Sequence, residues 1–324
     1  MKVIIPAAGI GTRLWPHTHT LPKALLHVAG KPILAHILDT VAALSPAETV
    51  IVTGFLGNKV RDYVSAHYDL PTRFVHQEEL LGLGYAVRLA LEGGDGAPVL
   101  IILGDTIVET DLRLMVASGG NLLGLTPVED PKRFGIAEVA NGMVTRVIEK
   151  PPQPTSNQAI IGLYYISDSG VLKEELDRLM TEGIRSGGEV ELTDALQGMI
   201  ERGLTIKAYP VDGWYDCGQR ETLIATNRHL LEKMSPPRSI PGSIVVAPSY
   251  IAPTARIEGS VIGPYVSVSD RAVIINAIIT NSIVGYEAEV RDALLTNSLI
   301  GHHAVVTGGF RALNVGDSSE IEHF

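Results

Sequence analysis

Ala7-Ala8-Gly9-Ile10-Gly11-Thr12-Arg13-Leu14 (AAGIGTRL) follows directly on the apolar run Val3-Ile4-Ile5. A short apolar strand that breaks into small residues and one arginine reads as a tight turn out of a buried strand, with room for a ligand close to the backbone. Glycine and alanine let backbone N–H groups approach phosphates and a nucleoside closely, and Arg13 offers a fixed fork for phosphate oxygens. The stretch lacks the lysine of a P-loop and the third glycine of a dinucleotide fingerprint. Ten residues on, Pro22-Lys23 sets a second cation after another turn. Arg13 and Lys23 together read as a clamp on a polyphosphate.

Outward from this loop, strand-like and helix-like segments alternate. Residues 2–5 read as a buried strand and 32–44 as a helix, with Pro32 in its first turn and Ile33, Ile37, Leu38, Val41 and Leu44 at helical spacing. Strands are predicted at 49–53, 73–76 and 98–103, and helices at 57–66 and 84–91. This order implies a Rossmann-like mixed sheet, largely parallel, with helices on both faces. Ligands of such sheets lie beyond the carboxyl ends of the strands. The opening loop and Gly104-Asp105 both fall there. Further helices are predicted near 168–180, 190–202 and 219–233.

At Lys233 to Pro241 (KMSPPRSIP) three prolines in nine residues mark a domain boundary. Beyond it Ile251, Ile257, Ile262, Val268, Ile274, Ile279, Val284, Val290, Ile300 and Val306 recur every five or six positions or at multiples of that step. A hexapeptide repeat of this kind predicts a left-handed parallel β-helix whose turns stack their aliphatic residues in columns. The expected domains are therefore a Rossmann-like α/β domain at 1–234, a β-helix at 242–308 and a tail at 309–324 that carries little signal.

Composition limits the partners. Acidic residues outnumber basic ones by 36 to 26, a net charge of −10, which argues against nucleic acid or an anionic membrane as partner. Cys217 is the single cysteine, so no disulfide forms within the chain, as expected in a reducing cytoplasm. No apolar stretch reaches bilayer length and no signal peptide is recognisable. Stacked β-helix turns present flat faces and an open end that favour burial against a partner. A homo-oligomer through the C-terminal domain is the expectation.

The segment from Ala7 to Leu34 resembles the signature of the sugar-1-phosphate nucleotidylyltransferases, and several later blocks match that family in order. These are Gln77 with Gly82-Leu83-Gly84-Tyr85-Ala86, Leu103-Gly104-Asp105, Phe134-Gly135-Ile136, Glu149-Lys150-Pro151, Asn157 to Tyr164, Glu191-Leu192-Thr193-Asp194 and Trp214-Tyr215-Asp216-Cys217-Gly218. With its hexad tail the chain is most similar to the long-form glucose-1-phosphate thymidylyltransferases. The resemblance implies transfer of a nucleotide from an NTP (dTTP or UTP) to a hexose 1-phosphate, with Mg²⁺. It implies that Arg13 holds the leaving pyrophosphate and that Lys23 contacts the phosphates around the reacting phosphorus. Ala8, Gly9, Gly11 and Thr12 would line the nucleotide, Gln77 with Gly82 would read the base, and Asp105 and Asp216 would bind the metal. Gly135, Glu149, Lys150, Ile160 and Tyr164 would hold the sugar phosphate.

Three positions depart from the family: Thr106 stands where asparagine is usual, Tyr85 where glutamine or histidine is common, and Gly187-Gly188 where an arginine often holds the sugar phosphate, leaving Arg185 as its substitute. The Gly82-Leu83-Gly84 and Tyr215-Asp216-Cys217-Gly218 blocks resemble bacterial uridylyltransferases, and a guanylyltransferase is also compatible. A relative that only senses nucleotide sugars would have lost the cations or aspartates, and all four are present.

Overall fold

The computed structural model describes residues 1–94, 96–311 and 313–322. The chain packs as two compact units. One comprises Met1–Gly9 and Ile37–Trp214; the other comprises Ile10–His36 and the chain from Tyr215 onward.

The first unit is built on a nine-stranded sheet: β1 (Lys2–Ala7), β2 (Glu48–Thr53), β3 (Thr72–His76), β4 (Val99–Ile102), β5 (Asn121–Pro127), β6 (Ile136–Ala140), β7 (Met143–Ile148), β8 (Gln158–Ile166) and β9 (Ile206–Pro210). Their order is β3-β2-β1-β4-β8-β5-β9-β7-β6. The parallel expectation holds for β3, β2, β1 and β4. It fails at β8, which runs antiparallel to both β4 and β5. Val3, Ile4 and Ile5 of β1 have no exposed surface, as a strand covered on both faces requires. β1 lies between β2 and β4, so the strand order reverses beside it, and open α/β sheets take their ligands beyond the carboxyl ends of the strands at such a point.

The helices follow the predicted spacing: α1 (Ile33–Ala42), α2 (Gly57–His67), α3 (Leu83–Ala90), α4 (Leu112–Ala117), α5 (Ser169–Glu182), α6 (Leu192–Glu201) and α7 (Arg220–Glu232). Helix α4 has no counterpart in the sequence reading. It is six residues long and is set by Asp111, whose carboxylate accepts from the N–H groups of Arg113 and Leu114, an ordinary N-cap.

In the second unit short parallel strands stack in register. Ile257, Ile274, Val290 and Val306 form one inward column, and Ile251, Val268, Val284, Ile300 and Val315 another. All ten hexad aliphatics are buried, none more than 6% exposed, and they form one continuous core. The column runs on into the region where the sequence carried no signal, through the strands Val305–Arg311, Asn314–Val315 and Glu320–Glu322.

Candidate active site

In the first unit the loops after β1 and β4 are locked together. The Gly104 N–H donates to the Pro6 carbonyl at 3.0 Å, and a Cβ at Gly104 would stand 2.9 Å from both the Ala7 Cβ and the Pro6 oxygen. Asp105 therefore emerges beside the end of β1, where Ala8 and Gly9 begin the glycine loop. The Thr106 hydroxyl approaches its carboxylate at 3.4 Å.

Gln77 follows β3 and is 5% exposed. Its N–H donates to the Thr53 carbonyl at 2.8 Å and its side-chain Nε2 to the Glu79 carbonyl at 3.0 Å, so in this structure the amide braces its own loop. Gly82 has φ 105°, a region that favours glycine. A Cβ there would also meet the Val190 carbonyl at 2.6 Å. This close approach, with the Gly84 N–H on the same carbonyl at 2.8 Å, ties the expected base loop to the segment that leads into α6.

Glu149 and Lys150 end the β7 hairpin as an ion pair of 2.8 Å. The Lys150 N–H bonds the Phe134 carbonyl at 3.2 Å, and the Ile160 N–H bonds that of Gly135 at 2.8 Å. Lys150 has a φ of 37°, an unusual backbone for a lysine. Gly135 leaves room for the Glu149 carboxylate, since a Cβ would come within 2.9 Å of Oε2. Tyr164 is buried. Burial, then the charges of Glu149, Glu191 and Asp105, pushes its phenol well above the usual range. One phenol thus lies within electrostatic reach of the expected sugar-binding carboxylate and of Asp105.

Three residues of the matched blocks to which the sequence assigns no role join this group of contacts. The Thr193 hydroxyl donates to Glu149 Oε2 at 3.0 Å. Trp214 packs edge-on against Phe134 at 5.2 Å, and its buried Nε1 has no hydrogen-bond partner among the described residues. Glu191 is 8% exposed; burial, reinforced by Glu149 and opposed by Lys150, lifts its carboxyl to about 7. The signal was present in the Glu-Leu-Thr-Asp block, but alternating polar and apolar residues at a helix start give no hint of which side chain is enclosed. Arg185 does not reach this group of contacts by any hydrogen bond among the described residues; its Nη1 donates to the carbonyls of Ile184 and Leu179.

The raised Glu191 carboxyl has a stability consequence. Its folded value exceeds the ordinary 4.5, so the native state holds the proton more tightly than the unfolded chain. The cost of ionising it is absent below pH 4.5, grows between pH 4.5 and about 7, and is constant above. Glu191→Gln should therefore stabilise the chain by about 2 kcal/mol at pH 8 and by nothing at pH 4. Denaturant melts at the two pH values read this out; an equal effect at both would contradict it.

The second unit carries the remaining predicted residues. Arg13 lies in a short 3-10 turn, Thr12–Leu14, and Lys23 opens another, Lys23–Leu25. Arg13 is exposed and makes no ion pair among the described residues. Gly11, at φ 74°, lies against Lys23: a Cβ on it would sit 3.2 Å from the lysine Cβ. The two cations are therefore neighbours on one folded loop. Asp216 ends the strand Gly213–Asp216, and its Oδ1 accepts from the Gly218 N–H at 2.8 Å. Cys217 beside it is buried, a packed thiol rather than a nucleophile.

Residues 2–233 match the nucleotidyl transferase family model. The chain is 30% identical to the low-salt glycan biosynthesis nucleotidyltransferase Agl11 of Haloferax volcanii, over 90% of this chain and 89% of that protein. It is also 30% identical to a glucose-1-phosphate thymidylyltransferase of Streptomyces antibioticus, over 99% of each chain. Among solved structures, a Bacillus anthracis protein assigned as a glucose-1-phosphate thymidylyltransferase superposes with a TM-score of 0.63 at 27% identity, over 72% of this chain and 96% of that one. The chain belongs to the nucleotidyl transferase family, and within it to the sugar-1-phosphate nucleotidyltransferases.

Proposed function

We propose that the chain makes dTDP-glucose and pyrophosphate from dTTP and glucose 1-phosphate. The observation that carries the reading is the Glu149–Lys150 pair, braced by Thr193 and Gly135 and sharing Tyr164 with Asp105. It offers a cation for the sugar phosphate and a carboxylate for sugar hydroxyls beside the expected metal ligand. A phosphate oxygen of glucose 1-phosphate attacks the α-phosphorus in line. The bond from that phosphorus to the α,β-bridging oxygen breaks, and pyrophosphate departs with the electron pair. Such transfers ask the protein mainly for positioning and charge stabilisation.

In this reading Arg13 neutralises charge building on the leaving pyrophosphate, and Lys23 contacts the phosphates around the reacting phosphorus. Backbone groups of Ala8, Gly9, Gly11 and Thr12 line the nucleotide, and Gln77 with Gly82 faces the base. Ile160, Tyr164 and Gly135 wall the sugar phosphate. Asp105 and Asp216 are hard oxygen donors that suit Mg²⁺, an ion that takes few carboxylates and completes its shell from substrate phosphates. When bound, it supplies positive charge at the phosphates.

The Gly82-Leu83-Gly84 block favours uridylyl transfer as the second reading, with guanylyl transfer to mannose 1-phosphate behind it. Pyrophosphate release measured for dTTP, UTP and GTP, each with glucose 1-phosphate and mannose 1-phosphate, decides. The highest kcat/KM is expected for dTTP with glucose 1-phosphate. Calorimetric binding of a nucleotide sugar with no turnover in any combination would instead mark a silent sensor.

We infer further that the stacked strands form a left-handed β-helix that runs past the expected bound of 308 through Asn314–Val315 and Glu320–Glu322, with 1–234 the transferase domain, and that the chain works in the cytoplasm as a homo-oligomer through the C-terminal stack. The stacked parallel columns support the first point. No helix among the described residues is long and apolar enough to cross a membrane. For the oligomer, one outward face carries Arg256 and Glu258 above Val273 and Ile275 above Glu289 and Arg291, all in register. A two-fold rotation about an axis along the stack sets Arg256 against the partner's Glu258 and Glu289 against the partner's Arg291, around an apolar centre. On the adjoining strands Ile244 and Ile278 are 62% and 46% exposed, aligned through Val261. Light scattering at micromolar concentration should show a dimer or larger, and Arg256→Glu with Arg291→Glu should dissociate it. A monodisperse monomer of the wild type would contradict the oligomer.

A further inference from the structure

The Arg13–Lys23 loop has little regular structure of its own. Its regular structure amounts to three 3-10 turns of three residues each, and turns so short make few internal bonds. Its bracing comes instead from the far end of the chain, within the same compact unit. Asn314 grips the loop with both ends of its amide. Oδ1 accepts from His17 Nε2, and Nδ2 donates to the Trp15 carbonyl at 3.1 Å. His17 is 1% exposed, and burial lowers its pKa, so the neutral ring donates to the amide oxygen. Beside it the Thr20 hydroxyl donates to the Asp317 carboxylate, which also accepts the His302 N–H at 2.7 Å.

Packing points the same way. The stack contains a column of glycines, Gly285 on Gly301 on Gly316. A Cβ on Gly285 would meet the Gly301 carbonyl carbon at 2.7 Å, and one on Gly301 would meet that of Gly316 at 2.5 Å. A Cβ on Gly316 would meet Pro16 at 2.8 Å. Pro16 thus sits where the next turn of the column would lie. Inside the loop the bracing passes on to the cations. The Gly11 carbonyl accepts from Thr18 Oγ1 at 2.8 Å and from the Leu14 N–H at 2.9 Å, and Gly11 lies against Lys23.

We propose that Asn314 is a positioning residue for nucleotidyl transfer: through Trp15 and His17 it fixes the loop that presents Arg13 and Lys23 to the triphosphate. The C-terminal stack is then part of the catalytic apparatus. This rests on the roles given above to Arg13 and Lys23. Misplacing a reacting partner by about 1 Å can cost up to about 10² in rate, so Asn314→Ala lowers kcat by about 10-fold and leaves the KM for the sugar phosphate unchanged. Gly316→Ala, which pushes on Pro16 without touching the amide, lowers kcat in the same way. In both variants amide hydrogen exchange over residues 10–25 speeds up, while exchange in the nine-stranded sheet stays as in the wild type.

The test is a double-mutant cycle with Arg13→Ala, read by pyrophosphate release and hydrogen exchange. If Asn314 acts through the loop's cations, its removal costs about 10-fold in the wild-type background and clearly less when Arg13 is already gone, since only Lys23 is then left to misplace. Wild-type kcat in both Asn314→Ala and Gly316→Ala overturns the inference. So does an equal loss in the two backgrounds, which a purely structural role would give. A wild-type rate in Arg13→Ala alone would instead sink the functional reading and leave the bracing a matter of stability.

Discussion

Asp105→Asn should turn over about 10³-fold more slowly than the wild-type chain with its melting temperature unchanged, as expected when a metal-binding carboxylate at a phosphoryl centre loses its charge. The amide is isosteric, and the backbone bond from Gly104 to Pro6 that holds the loop is the same in the variant. Shape is therefore kept while a hard anionic donor is lost. Asp216→Asn should behave alike, because an amide oxygen can still accept the Gly218 N–H that now bonds Oδ1. Steady-state kcat beside a thermal melt is the measurement. Full activity in either variant would remove that residue from the metal site.

Arg13→Ala should lower kcat by about 10²- to 10³-fold, the range expected when a group that meets developing phosphate charge is removed. The loss has a direction. In the reverse reaction the KM for pyrophosphate should rise at least about 10-fold, while the KM in the forward direction for the sugar phosphate should not move. Arg13→Lys should recover part of the rate, since an ammonium restores charge but not the bidentate fork. Arg13 is exposed and outside any ion pair among the described residues, so neither change should alter stability. A rise in the sugar-phosphate KM with kcat intact would place Arg13 at the wrong substrate.

How much of this could be read from the chain alone follows from the range of the forces involved. β1 was legible because burial on both faces demands a continuous aliphatic run, and Val3-Ile4-Ile5 is one. The hexad aliphatics were legible because each turn of the stack must repeat the same inward position. The antiparallel course of β8 was not: Gln158–Ile166 is apolar enough to sit between β4 and β5 in either direction, and periodicity does not encode direction. The strands beyond residue 308 escaped because Leu313 and Asn314 replace the hexad pattern just where the core column is closed by Val315.

Of the expected site residues, Arg13 and Lys23 stood out as charges on glycine- and proline-rich turns and Asp105 by its place after the strand at 98–103, whereas Glu149 and Lys150 were marked only by the resemblance of their block to the family. Glu191, Thr193 and Trp214 gained meaning only from their neighbours in space. The grip of Asn314 on Trp15 and His17 spans almost the whole chain, and no local pattern marks such a contact.

The central claim is that a sugar phosphate oxygen displaces pyrophosphate from a nucleotide. It is tested most directly with glucose 1-phosphate carrying labelled phosphorus, dTTP and Mg²⁺. The account predicts one pyrophosphate released per dTDP-glucose formed, with all the label retained as the β-phosphorus of the product. Label released as inorganic phosphate, or no pyrophosphate from any nucleoside triphosphate with any hexose 1-phosphate, would contradict it.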